Sequence, residues 1–219
     1  MKVLALGGSM VFGDFDGDRV RRYAEAINRF SGKLAVVIGG GRIARNFIGI
    51  ARGLGADEVW CDEIGIVVTR INAMVLLSGL KGCAPVVPED FSSAKLLLTD
   101  YDKVVMGGTF PGHTTDATAA LLAEALKAEQ LLIATSVDGV YSSDPRRDSE
   151  ATRFEELTPE ELVEIVARND VRAGSSSVVD LLASKIIQRS RIPTVIFEGT
   201  PENVERALKG EKIGTIIRP

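Results

Sequence analysis

Histidine and tryptophan each occur once in this chain of 219 residues, and cysteine occurs twice. The single imidazole, His113, therefore has to be weighed against chemistry that needs no histidine base. It reads as a loop residue hydrogen-bonded to its neighbours. Cys61 and Cys83 are far apart and form no Cys-x-x-Cys pair, which argues against a zinc knuckle and against thioredoxin-like chemistry. A reduced intracellular protein is the simpler expectation. No apolar run approaches the ~18 residues of a membrane span. The apolar stretch at Lys2–Leu6 is too short for a signal peptide, so a cytoplasmic chain with no membrane partner is expected. Excess positive charge is also missing: 26 Lys+Arg stand against 30 Asp+Glu, for a net charge of −4. That balance is a poor footprint for a general nucleic-acid binder. Hydrophobic residues make up 45% and charged residues 26%, which excludes a disordered chain.

Glycine is abundant, with 22 residues placed unevenly. Short aliphatic runs end in glycines three times: Val3–Leu6 before Gly7-Gly8-Ser9, Leu34–Ile38 before Gly39-Gly40-Gly41, and Lys103–Met106 before Gly107-Gly108-Thr109. Each run is apolar throughout, as suits a strand buried on both faces of a parallel sheet. Ala84–Val87, Leu131–Ala134, Thr194–Phe197 and Thr215–Ile217 are further strand candidates. Apolar residues at three- and four-residue spacing predict helices over 18–30, 42–54, 63–80 and 115–127, with others at 178–189 and 202–209. Thr158-Pro159-Glu160-Glu161 is a helix start, with a capping threonine, a first-turn proline and two acids. The alternation predicts a layered α/β protein with a largely parallel sheet, in one domain spanning 1–219. Its two lobes are expected to meet at a cleft. Trp60 is expected to pack inside, and the Arg19, Arg21, Arg22 cluster to be a solvated helix face. The polar 142–153 stretch reads as a surface loop or short hairpin.

A strand that ends in glycines and feeds a helix presents bare backbone N–H groups, and these favour phosphate. No Gly-x-x-x-x-Gly-Lys-Ser/Thr run exists, which excludes a P-loop ATPase. Gly39-Gly40-Gly41-Arg42-Ile43-Ala44 satisfies the loose dinucleotide pattern, with Asp57, Glu58 and Asp62 downstream. It follows the second strand, however, and leaves the other two glycine loops unexplained. Gly107 to Ala117 packs glycines, hydroxyls and Asp116 at the approach to an apolar helix. Thr114 and Thr115 can donate to phosphate oxygens there. Asp116 either caps the helix or orients a cation, Mg²⁺ or a basic side chain. The Thr135–Pro145 segment turns at Asp138-Gly139 and brings Tyr141, which offers a wall for a base, beside acceptors for its polar groups.

Together these segments resemble the amino acid kinase family, and within it the archaeal-type uridylate kinases, essentially from end to end. The most specific portions are Gly39–Gly41 with Arg45, Asp62-x-x-Gly65 running to Thr69-Arg70-x-Asn72-Ala73, Gly107–Asp116, Val137–Tyr141 with Asp144-Pro145, and Gly174–Asp180. The resemblance implies transfer of the γ-phosphoryl of ATP to UMP with Mg²⁺, a three-layer α/β/α sandwich with a central, mainly parallel sheet, and a homohexamer. It further implies that Gly7, Gly8, Ser9, Gly41 and Arg45 meet the ATP phosphates and that Thr135, Tyr141 and Asp144 meet its nucleoside. Gly40, Asp62 and the run Thr109, Phe110, Pro111, Gly112, His113, Thr114, Thr115 would hold UMP. One departure stands out: where many family members carry a lysine that bridges the two phosphates, this chain has Ala5. Arg45, Lys185 and Mg²⁺ are the candidates to neutralise the transferring group, with Asp116 beside them. Two alternatives stay open. One is a kinase of the same fold acting on an amino-acid carboxylate or isopentenyl phosphate, and the other is a non-catalytic nucleotide-binding protein.

Overall fold

The protein is described by a computed structural model covering residues 1–143, 145, 148, 150–170 and 178–219. The chain opens with β1 (Lys2–Leu6), a short α1 (Gly8–Phe12), α2 (Gly17–Asn28), β2 (Leu34–Ile38), α3 (Gly41–Gly53) and α4 (Glu58–Leu77). It continues through α5 (Phe91–Asp100), β3 (Lys103–Met106), α6 (Thr115–Leu126) and β4 (Gln130–Thr135). The last part holds β5 (Glu156–Leu157), α7 (Pro159–Asp170), α8 (Leu181–Ser190), β6 (Thr194–Glu198), α9 (Pro201–Lys209) and β7 (Thr215–Ile217).

The seven strands form one sheet in the order β3-β2-β1-β4-β6-β7-β5. Pairing is parallel from β3 across to β6, β7 runs antiparallel to β6, and β5 runs parallel to β7. Alternate residues of each strand face opposite layers. Val3, Ala5, Val37 and Ile133 pack with α6, α7 and α8, whereas Leu4, Leu6, Ile38 and Phe197 pack with α2, α4 and α9. The expected three-layer sandwich is thus built on two apolar clusters, one on each face of the sheet. From β1 the chain moves outward to β2 and β3, then returns to β4 on the other side. That reversal opens a crevice beyond the carboxyl ends of β1 and β4, the place where open α/β sheets bind ligands.

Several helix starts follow from their side chains. Asp57 accepts from the Trp60 N–H at 2.8 Å and starts α4. At α7, Thr158 and Glu161 form a reciprocal capping box, with Glu161 Oε2 accepting from Thr158 N at 2.8 Å and Thr158 Oγ1 accepting from Glu161 N at 3.2 Å.

Two expectations fail. The predicted strand Ala84–Val87 does not form: Cys83 bridges Lys103 and the Ala84 N–H donates to Lys103 O, but pairing stops there. Pro85 lies within the segment and Pro88 follows it, and prolines cannot donate to a ladder. Trp60 is 62% exposed, because it sits on the side of α4 that faces away from the sheet.

Candidate active site

The loops after β1, β2 and β4 and the N-terminus of α6 enclose a cleft of about 340 Å³ at the carboxyl edge of the sheet. Its lining includes Gly7, Gly8 and Ser9, Gly39, Gly40 and Gly41, Thr114, Thr115 and Asp116, Thr135, and Arg45. Bare main chain dominates one wall for a steric reason. A Cβ on Gly8 would lie 2.1 Å from the Gly39 carbonyl oxygen and 2.7 Å from the Gly41 nitrogen. Gly41 itself has φ +64°, and a side chain there would meet the Gly8 carbonyl carbon at 2.5 Å. The first two glycine loops therefore touch backbone to backbone, and no other residue type permits that approach.

Side chains of α4 hold the loops from behind. Asn72, buried on α4, donates from Nδ2 to Gly39 O at 2.8 Å and to Gly40 O at 3.3 Å. Thr69 Oγ1 accepts from the Gly108 N–H at 2.7 Å and fixes the third loop. Asp62 Oδ2 accepts from the Gly112 N–H at 2.7 Å, so this carboxylate lies against the Thr109–His113 loop. From sequence, Thr69 reads only as part of a motif and Asn72 equally as a residue facing a subunit interface, whereas Asn72 is buried against the second glycine loop. The signal for their fastening role was the placement of polar groups on an apolar helix.

Arg45 is the one cation among the described residues that line the cleft, and its Nη2 donates to Ser9 Oγ at 2.9 Å. The cleft also holds Asp116, in the first turn of α6, while Thr114 is the cap, its Oγ1 accepting from the Ala117 N–H at 3.1 Å. Asp116 is therefore not needed to start the helix. Burial, and secondarily the Asp180 carboxylate, pushes the Asp116 carboxyl up to about 7. Asp180 caps α8 through the Ala183 N–H at 2.9 Å and accepts a hydrogen bond from the Thr114 hydroxyl.

The remaining expected residues fall differently. Lys185 is exposed on α8 and bonds Gln188 at 3.3 Å; the helix repeat turns Ala183, Ile186 and Ile187 inward and this lysine out, so the fold does not bring it to the cleft. His113 makes one local backbone bond, from its N–H to Phe110 O at 3.3 Å, but its Nδ1 is buried without a partner. Its ring lies 6.1 Å from that of Phe110, which is 66% exposed. Tyr141 donates to Asp138 Oδ1 at 2.7 Å in a turn closed by the antiparallel Tyr141–Arg153 bridge, beyond Thr135. Asp144 and the Ser175–Ser177 run lie outside the described residues. Ala5 is 1% exposed within β1, where it fills core space. Pro111 lies in the turn between Phe110 and Gly112, beside Asp62.

Comparison with known proteins agrees with this architecture. The chain is 52% identical over 217 residues to a uridylate kinase of Archaeoglobus fulgidus, covering 98% of both chains. It is 48% identical to a uridylate kinase of Methanococcoides burtonii, covering 97% of this chain and 93% of that one. The crystal structure of the Archaeoglobus fulgidus uridylate kinase superposes with a TM-score of 0.92 over 99% of each chain. The amino acid kinase family profile matches residues 1–198, and the chain belongs to the amino acid kinase family.

Proposed function

We propose that the chain is a uridylate kinase, which moves the γ-phosphoryl of ATP to UMP and yields UDP and ADP. The observation that carries this reading is the backbone contact between the Gly7–Ser9 and Gly39–Gly41 loops, with Arg45 reaching from one to the other. Two phosphate cradles that share a wall suit two anionic chains meeting end to end. In the reaction, an oxygen of the UMP phosphate forms a bond to the γ-phosphorus. The bond from that phosphorus to the β,γ-bridging oxygen breaks, and its electron pair leaves on ADP. The attacking oxygen is already anionic at neutral pH, so no base is needed. Catalysis is positioning plus charge neutralisation.

In this reading Gly7, Gly8, Ser9, Gly41 and Arg45 take the ATP phosphates, while Thr135, Tyr141 and Asp144 take its nucleoside. Gly40, Asp62 and Thr109 to Thr115 take UMP, Asp62 standing at the loop it already holds. Lys185 has no part in it. Among the described residues no cluster of three or more acidic, cysteine or histidine side chains makes a metal cage. Mg²⁺ needs none: it is commonly held by one or two carboxylates together with substrate phosphates. The Asp116 carboxyl, desolvated and beside Asp180, fits that role. Mg²⁺ would supply charge neutralisation of the phosphates.

Assembly is part of the proposal. Phe47, Ile50, Leu54, Trp60, Ile71 and Met74 are all more than half exposed along α3 and α4, an apolar face that supports packing between copies, with the homohexamer as the expected form. No helix of the described chain is long and apolar enough to cross a membrane, in keeping with a cytoplasmic place in pyrimidine nucleotide synthesis. An ADP-release assay with UMP, CMP, acetylglutamate and isopentenyl phosphate tests the reading. Turnover is expected with UMP. Turnover only with another acceptor, or with none, overturns it in favour of a different kinase or a binding protein.

A further inference from the structure

We infer that the Thr114 hydroxyl is a positioning switch, whose one proton is contested between Asp180 and a phosphate oxygen of the acceptor. Acceptor binding thereby releases Asp180 toward the donor nucleotide and its cation. The inference rests on the uridylate kinase reading and adds to it a coupling between the two sites.

A threonine hydroxyl has one proton and two lone pairs. Thr114 Oγ1 uses a lone pair to cap α6, accepting from Ala117 N–H at 3.1 Å, and gives its proton to Asp180 Oδ2. Thr114 also forms part of the cleft wall, together with Gly40 and Arg45. A phosphate oxygen at that wall is an acceptor only, so bonding to Thr114 requires the same proton. When the proton turns to phosphate, Asp180 keeps its backbone bond from Ala183 N–H at 2.9 Å through Oδ1 and loses the donor at Oδ2. The stripped oxygen then carries its charge close to the first turn of α6, where Asp116 stands two residues beyond Thr114. A second acidic oxygen without a donor calls for a cation, and the magnesium that accompanies ATP is the cation that a phosphotransferase brings. The bond spans the N-termini of α6 and α8, so a phosphate that takes the Thr114 proton changes the charge left on the cap of α8. Positive coupling follows, and by linkage it is reciprocal.

Calorimetry with UMP and the magnesium complex of the β,γ-imido analogue of ATP tests the inference, because this analogue binds without transferring. In the wild type, saturating UMP should tighten the analogue by about five-fold or more, the lower end of usual coupling between sites. Thr114→Val should bring that factor close to one while each ligand still binds alone, and Thr114→Ser should restore it. If valine at the cap unfolds the protein, Asp180→Asn serves instead. It keeps an oxygen for the α8 cap, loses the charge and should also abolish the coupling. Wild-type coupling that survives in Thr114→Val or in Asp180→Asn, or its absence in the wild type with both ligands bound, overturns the switch and leaves the kinase reading intact. Failure of UMP and the analogue to bind at all would overturn both.

Discussion

Replacing Arg45 by alanine removes the one cation that the described residues place in the cleft. A guanidinium about 4 Å from a phosphate charge, at an effective dielectric near 20, interacts by about 4 kcal/mol. Part of that is offset in the ground state, where the guanidinium already bonds Ser9 Oγ at 2.9 Å and is exposed to water. A transition-state loss of roughly 3 kcal/mol remains, which is ~10²-fold in kcat/KM. No lysine at position 5 stands by to take over, because Ala5 is enclosed in β1. Arg45→Lys keeps the charge but cannot both reach Ser9 and fork onto a phosphate, so its loss should be intermediate. Initial rates of ADP release at subsaturating UMP and ATP measure both variants. Wild-type kcat/KM in Arg45→Ala would remove Arg45 from the mechanism and refute the reasoning.

Asp62→Asn should weaken UMP binding several-fold while ATP affinity stays nearly unchanged, as read by calorimetry; equal losses for both ligands would make the acid purely structural. Gly8→Ala forces a methyl to within 2.1 Å of Gly39 O, so both glycine loops must move, and activity should drop by at least ~10²-fold with the protein still folded by circular dichroism. The Asp116 carboxyl, raised from 3.8 to about 7, binds its proton more tightly in the folded than in the unfolded chain. Its contribution to stability is therefore present below pH ~4 and is lost as pH rises toward 7. A shift of about three units sets an upper bound of roughly 4 kcal/mol, reduced by the partial exposure of the group. Asp116→Asn should accordingly raise the Tm of the ligand-free protein at pH 8 relative to wild type and change it little at pH 4; an unchanged difference across that range would contradict the assignment.

Six strands were legible because they are short apolar runs, and most of the longer helices because of their apolar spacing; the two-residue β5 and the ten-residue α5, although Asp90 caps it, were not. What escaped was short or depended on distant parts of the chain. Helix α1 spans five residues with no capping side chain, too little for periodicity to register. The Ala84–Val87 run has β-branched residues but carries Pro85 inside it and Pro88 just after it, and pairing goes no further than the Cys83–Lys103 bridge. Lys185 was read from charge and position along the chain, yet the helical repeat of α8, set by Asp180 at its cap, fixes where that side chain points. The glycine loops announced phosphate, but their mutual contact, and the hold that Asn72 and Thr69 keep on them, exist only once α4 is laid under the sheet edge.

The central claim is that two facing cradles of main-chain amides hold two phosphate tails end to end. A crystal structure with UMP and the β,γ-imido analogue of ATP bound together tests it most directly. The account predicts both cradles filled, with a UMP phosphate oxygen about 3–3.5 Å from the γ-phosphorus and in line with the bond to be broken. A single occupied cradle, or two phosphate tails directed away from each other, would contradict it.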